Sequence, residues 1–208
     1  MKKLISKILA VLLITVITTG CKKNAEPKDY SQSIKDKTWW GTLNYTGQSD
    51  QFYSVQFNAD NSLLWNQMSG ETPGHWVLDG KTLKITFSGN SVEIKAGISD
   101  DNKLINISDN TGNSEIKSGE LIVNSGVPLD NSNWIGTGAG GVQIAFEPAY
   151  KFKLFIGASP YGPYIYTRSA SGAVIRSVSA GIFAIVISNT EMRGSFTSAT
   201  NALNFVKQ

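Results

Sequence analysis

The sequence is poor in the residues that most often carry out chemistry. Its 208 residues include one cysteine, Cys21, and one histidine, His75. A single cysteine excludes a framework of disulfides within the chain, and so few cysteines and histidines exclude a typical zinc site. A catalytic triad would need His75, but no nucleophile-elbow motif stands beside it. We therefore predict a protein that is not an enzyme and uses no metal or cofactor.

The acidic residues offer only weak alternatives to this prediction. Two carboxylates that flank a glycosidic bond could hydrolyse a glycan, but most acids here stand in turn-like contexts, such as Asp79 and Asp100. Residues 109–115 (DNTGNSE) are rich in oxygen atoms, yet they lack the spacing of an EF-hand calcium loop. That segment is more typical of a polar turn than of a calcium site. Glycan hydrolysis is the least favoured of the functions considered.

Long apolar runs are also scarce, and the most apolar one lies near the N-terminus. Three lysines occur in the first seven residues, and residues 8–17 are apolar apart from Thr15. At about 1.5 Å per residue, this run is too short to cross the roughly 30 Å hydrocarbon core of a bilayer. Its length and its basic start are typical of a secretory signal peptide.

The residues after this run carry a second signal. Residues 18–21 (TTGC) resemble the lipobox of bacterial lipoproteins, in which small residues precede a modified cysteine. In that family the cysteine sulfur receives a diacylglycerol, the signal peptide is cut before the cysteine, and the new amino group is usually acylated. The resemblance implies a signal peptide at residues 1–20 and a lipid anchor on Cys21. Since each buried methylene contributes about 0.8 kcal/mol, two or three acyl chains would hold the protein at a membrane permanently.

The residue after the cysteine and the net charge of the chain limit the classes of partner that the protein can bind. Lys22, rather than an aspartate, follows the cysteine, so the sorting pattern of that family implies the cell envelope, and the outer membrane in a cell that has one. Three of the 19 basic residues belong to the signal peptide, which leaves 16 basic and 16 acidic side chains in the rest. A neutral chain binds nucleic acid poorly because phosphate neutralisation dominates that affinity. We therefore predict a membrane partner and no nucleic-acid partner.

The remainder of the chain has the texture of β structure. Residues 21–36 are polar, and we interpret them as the lipidated cysteine followed by a flexible tether. From Trp39 onward, apolar and polar residues alternate in short runs, as in residues 53–57 (YSVQF) and 83–87 (LKITF). Such alternation predicts antiparallel strands with one buried face.

The second half repeats the order of features in the first. Residues 39–42 (WWGT) are echoed by residues 134–137 (WIGT), and residues 53–57 are echoed by residues 142–146 (VQIAF). A repeat of this kind predicts two copies of one supersecondary unit. The predicted boundaries are a first β domain at 37–124, a linker at 125–131 (SGVPLDN) and a second β domain at 132–208.

The opening of each half also resembles a known group of folds. A Trp-x-Gly-Thr motif followed by an antiparallel meander is similar to the start of calycin-type barrels, the group that contains lipocalins and avidins. The resemblance implies an all-β fold made of two tandem small antiparallel barrels or sandwiches. The alternative is one continuous barrel or sandwich built from both halves. No ligand is implied, because only the opening Trp and Gly match.

Aromatic side chains are the candidates for ligand binding. Tyr161, Tyr164 and Tyr166 cluster after a Ser-Pro pair, and Trp40 must point away from Trp39 if both lie on one strand. Exposed rings can stack on a sugar or grip a peptide, because they offer large, rigid contact area. The alternative is ordinary aromatic pairing between neighbouring strands.

Residues 182–187 (IFAIVI) are the candidates for an interface. They are apolar on both faces, whereas a strand with one wet face should alternate. Ile182, Phe183, Ile185 and Ile187 should therefore pack against something besides the core of their own half. The other half is favoured, since residues 21–128 carry 10 basic and 13 acidic side chains and residues 129–208 carry 6 and 3. A partner protein or a hydrophobic ligand is the alternative.

Together these observations predict a membrane-anchored lipoprotein of the cell envelope. Its role would be non-catalytic binding or scaffolding, with a glycan, a peptide or a small apolar molecule as ligand. The alternative is a structural or protein-interaction lipoprotein that takes no small ligand.

Overall fold

The computed structural model describes residues 28–123, 126–137, 141–196 and 203–208. The apolar run, the lipobox-like residues and Cys21 lie outside the described residues. The described chain is all-β and forms two antiparallel sheets, each curled into a nearly closed barrel. This confirms the predicted pair of tandem barrels. The two sheets share no described strand pair, so the alternative of one continuous barrel does not apply.

Nine strands form the first barrel: β1 (Lys37–Tyr45), β2 (Gln51–Phe57), β3 (Ser62–Gln67), β4 (Gly70–Asp79), β5 (Thr82–Phe87), β6 (Glu93–Ile98), β7 (Leu104–Asp109), β8 (Ser114–Ile116) and β9 (Glu120–Leu121). Their spatial order is β7-β6-β5-β4-β3-β2-β1-β8, and β9 also pairs with β1. The remaining gap is bridged where Lys103 pairs with Glu120 and where the Leu104 amide donates to the Gly119 carbonyl at 2.8 Å.

Nine further strands form the second barrel: β10 (Asn133–Thr137), β11 (Val142–Glu147), β12 (Lys151–Ile156), β13 (Ser159–Ile165), β14 (Thr167–Arg168), β15 (Val174–Ser177), β16 (Ile182–Val186), β17 (Glu191–Phe196) and β18 (Leu203–Lys207). Their order is β13-β12-β11-β10-β18-β17-β16-β15-β14. The two outermost strands, β13 and β14, are consecutive in the chain. A single extended segment therefore pairs with β12 through its first part and with β15 through its last part, which closes the ring.

The two barrels open with hairpins of the same register. Trp39 on β1 lies opposite Val55 on β2, and Trp134 on β10 lies opposite Ile144 on β11. Both tryptophans are fully buried, and both indole N–H groups donate to a neighbouring oxygen, at 3.0 Å to the Ser33 carbonyl and at 2.9 Å to a serine hydroxyl. The repeated Trp-x-Gly-Thr motif thus occupies equivalent places in the two sheets.

Gly41, inside the first of these motifs, permits a close approach of two chain segments. A Cβ atom at this position would lie 1.9 Å from the carbonyl oxygen of Ser118, so a larger residue does not fit. The same carbonyl accepts a hydrogen bond of 2.6 Å from the buried hydroxyl of Tyr53. The glycine and the tyrosine together hold the segment between β8 and β9 against β1.

A short 3-10 helix, η1 (Tyr30–Ser33), corrects the predicted boundary of the tether. Asp29 caps η1 by accepting from the Ser31 amide at 2.9 Å. Tyr30 and Ile34 are buried in the core of the first barrel, and the Ser33 hydroxyl donates to the Asn102 side chain at 2.7 Å. These apolar residues cover one end of the barrel, so the described part of the segment, from residue 28 on, is packed structure rather than tether.

The barrels lie against each other through a separate apolar cluster, here called the inter-barrel cluster. It consists of Phe52, Ile122, Ala173, Val174, Phe183 and Ile185, with Trp40 and Met68 packed against it. Its members come from both halves, and they lie outside the two barrel cores. Within the predicted linker, Val127 and Leu129 are buried in the core of the second barrel, so this segment belongs structurally to the second half.

Candidate functional site

Three concave surfaces are candidates for a binding site, with volumes of about 370, 340 and 390 Å³. The 340 Å³ groove runs along the outside of η1, and the 390 Å³ groove lies in part between the barrels. The 370 Å³ space is lined by inward-facing core residues of the first barrel, among them Leu43, Trp65 and Ile94. We therefore take this space, here called the first-barrel cavity, as the candidate site.

The first-barrel cavity lies at the end of the barrel opposite η1. Its lining includes residues from the turns that follow β3, β5 and β7, whereas η1 contacts the turn between β6 and β7. In an antiparallel meander, alternate turns lie at opposite ends of the barrel. One end is thus closed by η1, and the other is open to a ligand.

The inner wall of the cavity is apolar and aromatic. Inward-facing side chains at the strand ends supply it: Leu43, Trp65, Phe87, Ile94 and Ile116. Trp65 stacks on Tyr53 with ring centroids 4.3 Å apart, and its edge meets Phe87 at 5.6 Å. Packing on both sides fixes the indole, so the wall presents rigid aromatic surface.

The rim of the cavity is polar and nearly free of charge. Hydroxyl and amide side chains line it: Tyr45, Gln67, Ser69, Thr72, Asn90, Thr111, Asn113 and Ser114. The Tyr45 hydroxyl donates to Gln67 Oε1 at 3.0 Å, which joins β1 to β3 across the opening. Asp109 is the one charged side chain among the described lining residues.

The oxygens of Asp109 are occupied by its own turn. They accept from the backbone amides of Thr111 at 2.7 Å, Gly112 at 2.6 Å and Ser114 at 3.1 Å, and also from the Thr111 and Ser114 hydroxyls. Partial burial raises the pKa of this carboxyl, but the hydrogen bonds from Ser114, Thr111 and Gly112 outweigh it and hold the pKa at about 2. Asp109 therefore shapes the turn between β7 and β8.

The same geometry explains the oxygen-rich segment at residues 109–115. Its carboxylate is engaged within the turn, in agreement with the polar turn expected from the sequence. Across the described ranges, no group of three His, Cys, Asp and Glu side chains is placed to hold a metal ion. His75 is exposed on the outer face of β4 and lies outside the cavity lining.

The structure places the four predicted aromatic residues away from the first-barrel cavity. Tyr166 is only 4% exposed and packs in the second core, with its ring 5.3 Å from that of Phe146, so it offers no open platform. Tyr164 packs against the same core, and Tyr161 is 47% exposed on β13. Trp40 is half-buried at the inter-barrel cluster, under the guanidinium of Arg193 at 5.4 Å. These side chains do not form one site.

The predicted interface strand lies between the two barrels. Ile182 faces the second core, whereas Phe183 and Ile185 lie in the inter-barrel cluster with Phe52 of the first barrel. Ile187 follows the end of β16 and is half-buried. The second apolar face of this strand is therefore covered by the other half of the chain.

Sequence reasoning singled out only one part of the cavity lining, the oxygen-rich segment at residues 109–115, and interpreted it as a polar turn rather than as part of a site. Trp65 reads as an ordinary core residue, and Gln67 and Thr72 carry no motif. The predicted positions of the turns could have identified these residues. In a meander, every second turn lies at the same end of the barrel, so inward-facing residues near such turns must lie close together.

Comparison of the chain with protein-family models, curated proteins and solved structures finds no match. In the described part of the chain, no helix has the length and apolar character needed to cross a bilayer.

Proposed function

We propose that this chain is a lipid-anchored protein of the cell envelope, held through Cys21, that binds a small uncharged molecule in the first-barrel cavity without catalysis. The observation that carries the proposal is the cavity itself, open at one end, with an aromatic wall and a polar rim. Its volume of about 370 Å³ is within the range of roughly 300–1,000 Å³ that is usual for small-molecule sites.

The wall and the rim together favour an amphipathic ligand. A ring or a short hydrocarbon segment would lie on Trp65 and Phe87, because burial of apolar surface is favourable and aromatic faces stack well. Hydroxyl or amide groups of the ligand would meet Gln67, Thr72 and Asn113 at the rim. A glycoside or another hydroxylated ring compound has this combination.

The charges of the lining favour a neutral ligand. A buried ion needs a partner of opposite charge, and the described lining offers no Lys, Arg or His. The only ion there, Asp109, would repel an anion, and its oxygens already accept from five groups. Glycoside hydrolysis uses two carboxylates, so the single carboxylate in this lining supports a binding role.

The scaffolding alternative has less support. It was expected to use the apolar strand at residues 182–187 as a docking surface. Phe183 and Ile185 are buried against the first barrel, so that face is not free for a partner.

The proposed site can be tested by filling it. Thr72→Trp on β4 would place a large ring in the cavity, whereas Val77→Trp on the same strand lies on the exposed outer face. With phenyl β-glucoside as a neutral probe and the detergent-purified full chain, we expect saturation-transfer NMR signals in the native protein and in Val77→Trp. The signals should be lost in Thr72→Trp. Equal signals in both variants, or none in the native protein, would refute the site.

The preference for a neutral ligand has its own matched comparison. Phenyl β-glucuronide has the same two rings but carries a carboxylate. We expect it to bind at least about tenfold more weakly than phenyl β-glucoside, because an ion would be desolvated without a cationic partner. Equal or tighter binding of the glucuronide would overturn the argument from charge.

The proposed anchor is tested separately by Cys21→Ser. We expect the native chain to remain in the membrane fraction and the variant to be found uncleaved or outside it, since only the cysteine sulfur can take the acyl groups. Unchanged processing and membrane attachment of the variant would show that another feature holds the chain.

A further inference from the structure

The hairpin tip between β3 and β4 faces the cavity and the second barrel at once. Gln67 and Ser69 line the first-barrel cavity, while Met68, between them, packs against the inter-barrel cluster. Residues 67–70 are therefore shared by the binding site and by the contact between the barrels. A displacement of the tip at the inter-barrel contact should also move its cavity residues, because a two-residue turn has few backbone conformations available.

An arginine of the second barrel holds this tip. Arg176 on β15 donates through Nη2 to the carbonyl oxygens of Gln67 at 2.8 Å and of Gly70 at 3.1 Å. Its guanidinium also lies over the ring of Phe183, at 5.5 Å from the ring centroid. Charge-assisted hydrogen bonds are the stronger kind, and stacking on Phe183 fixes the direction in which the guanidinium points.

The backbone of the tip fits this arrangement. Gly70 has a φ of 148°, a conformation that residues with a side chain rarely adopt. A Cβ atom there would lie 4.0 Å from Arg176 Nη1, at ordinary contact distance. The tip thus has a fixed shape in which both carbonyls point at the second barrel, and the side chain of Gln67 remains free to accept from Tyr45 in the cavity.

We propose that Arg176 is a positioning residue for the first-barrel cavity, so that the second barrel acts as a brace that sets the shape of the binding site in the first. The proposal rests on the proposed function only for its consequence in ligand affinity. Its structural part is that docking of the second barrel orders residues 67–70. The second barrel would then influence ligand binding, although it does not contain the cavity.

A matched pair of arginines tests this role. Arg176→Met removes the donors to the tip. Arg193→Met removes an arginine of the same inter-barrel contact that instead covers Trp40. We expect Arg176→Met to weaken binding of phenyl β-glucoside by about fivefold or more, which corresponds to the loss of an ordinary hydrogen-bond contribution. Arg193→Met should leave the affinity within about twofold of native, since its guanidinium lies over Trp40 and makes no hydrogen bond to the tip at residues 67–70.

A conservative variant separates geometry from charge. Arg176→Lys keeps the positive charge but replaces the planar guanidinium, which lies over the ring of Phe183, with a compact ammonium on a flexible stem. We expect an affinity between those of the native protein and of Arg176→Met. Equal affinity losses in the Met variants at positions 176 and 193 would show a general loss of stability and would overturn the proposal.

Hydrogen exchange distinguishes failure of the brace from failure of the proposed function. On the ligand-free full chain, amides of residues 68–70 should exchange faster in Arg176→Met than in Arg193→Met or the native protein. This result supports the brace even if no probe binds the native chain. Unchanged exchange at the tip in Arg176→Met would refute the brace whatever the binding data show.

Discussion

Asp109 shows how a single side chain can shape the rim of the first-barrel cavity through hydrogen bonds within its own turn. Its carboxylate accepts from the amides and hydroxyls of the turn that follows β7, and this turn forms part of the cavity rim. An aspartate that accepts several bonds within its own turn lowers the energy of one backbone conformation. Gln67 plays a similar part, since its side chain is engaged by Tyr45.

The hydrogen bonds of Asp109 predict a specific dependence of stability on pH. The pKa of Asp109 is lowered from 3.8 to about 2, so the stabilisation is fully present above about pH 4 and is lost as the pH falls towards 2. Asp109→Asn should therefore lower the free energy of unfolding at pH 6, and the difference from the native chain should shrink at pH 2.5. Urea unfolding at these pH values measures it. Asp79→Asn, at the exposed end of β4, is the control, and a difference independent of pH would contradict the assignment.

At the scale of single residues, the sequence could identify apolar positions but not their neighbours. Tyr164 and Tyr166 share an inward face, as their spacing of two predicts, yet only the fold shows that this face is the second core. Trp65 and Asp109 are more than forty residues apart in the chain, and they line one cavity because the sheet closes. No local pattern encodes which strand ends will meet when a meander curls.

Among the elements, η1 has the largest effect for its length. Four helical residues and Ile34 close one end of the first barrel, so the cavity opens only at the other. The sequence did not predict this element, because a short 3-10 helix has no periodicity and its stability depends on the barrel end that it covers. The strands were predictable, since residues 53–57 within β2 and all residues of β5 alternate between apolar and polar types.

The closing role of η1 is tested by Ile34→Ala. Ile34 is fully buried, so its truncation should cost about 2–5 kcal/mol in the free energy of unfolding. Chemical denaturation of the full chain measures this, and faster hydrogen exchange of residues 30–34 should accompany it. The control is Ile105→Ala on the outer side of β7, which is 44% exposed and should cost far less. An equal effect of the two substitutions would mean that residues 30–34 behave as tether after all.

At the scale of the whole molecule, the barrels are joined by apolar packing and by two arginines. The described ion pairs all lie within one barrel or the other. Two cations of the second barrel instead contact neutral groups of the first barrel. Arg176 donates to backbone carbonyl oxygens, and the guanidinium of Arg193 lies over the ring of Trp40. The opposite net charges predicted attraction between the halves. They could not show that the arginines would contact neutral carbonyl and aromatic groups.

Phe183 is the residue on which the inter-barrel contact should depend most. It is fully buried in the inter-barrel cluster, and the guanidinium of Arg176 stacks on its ring. Phe183→Asp would remove the ring from the inter-barrel cluster, and losing a phenyl ring costs about 3–5 kcal/mol. We expect one cooperative thermal transition to become two in calorimetry, since each barrel retains its own core. Val178→Asp, at a site 90% exposed, should leave the transition unchanged. A single unshifted transition for Phe183→Asp would mean that the barrels are stable together without this cluster.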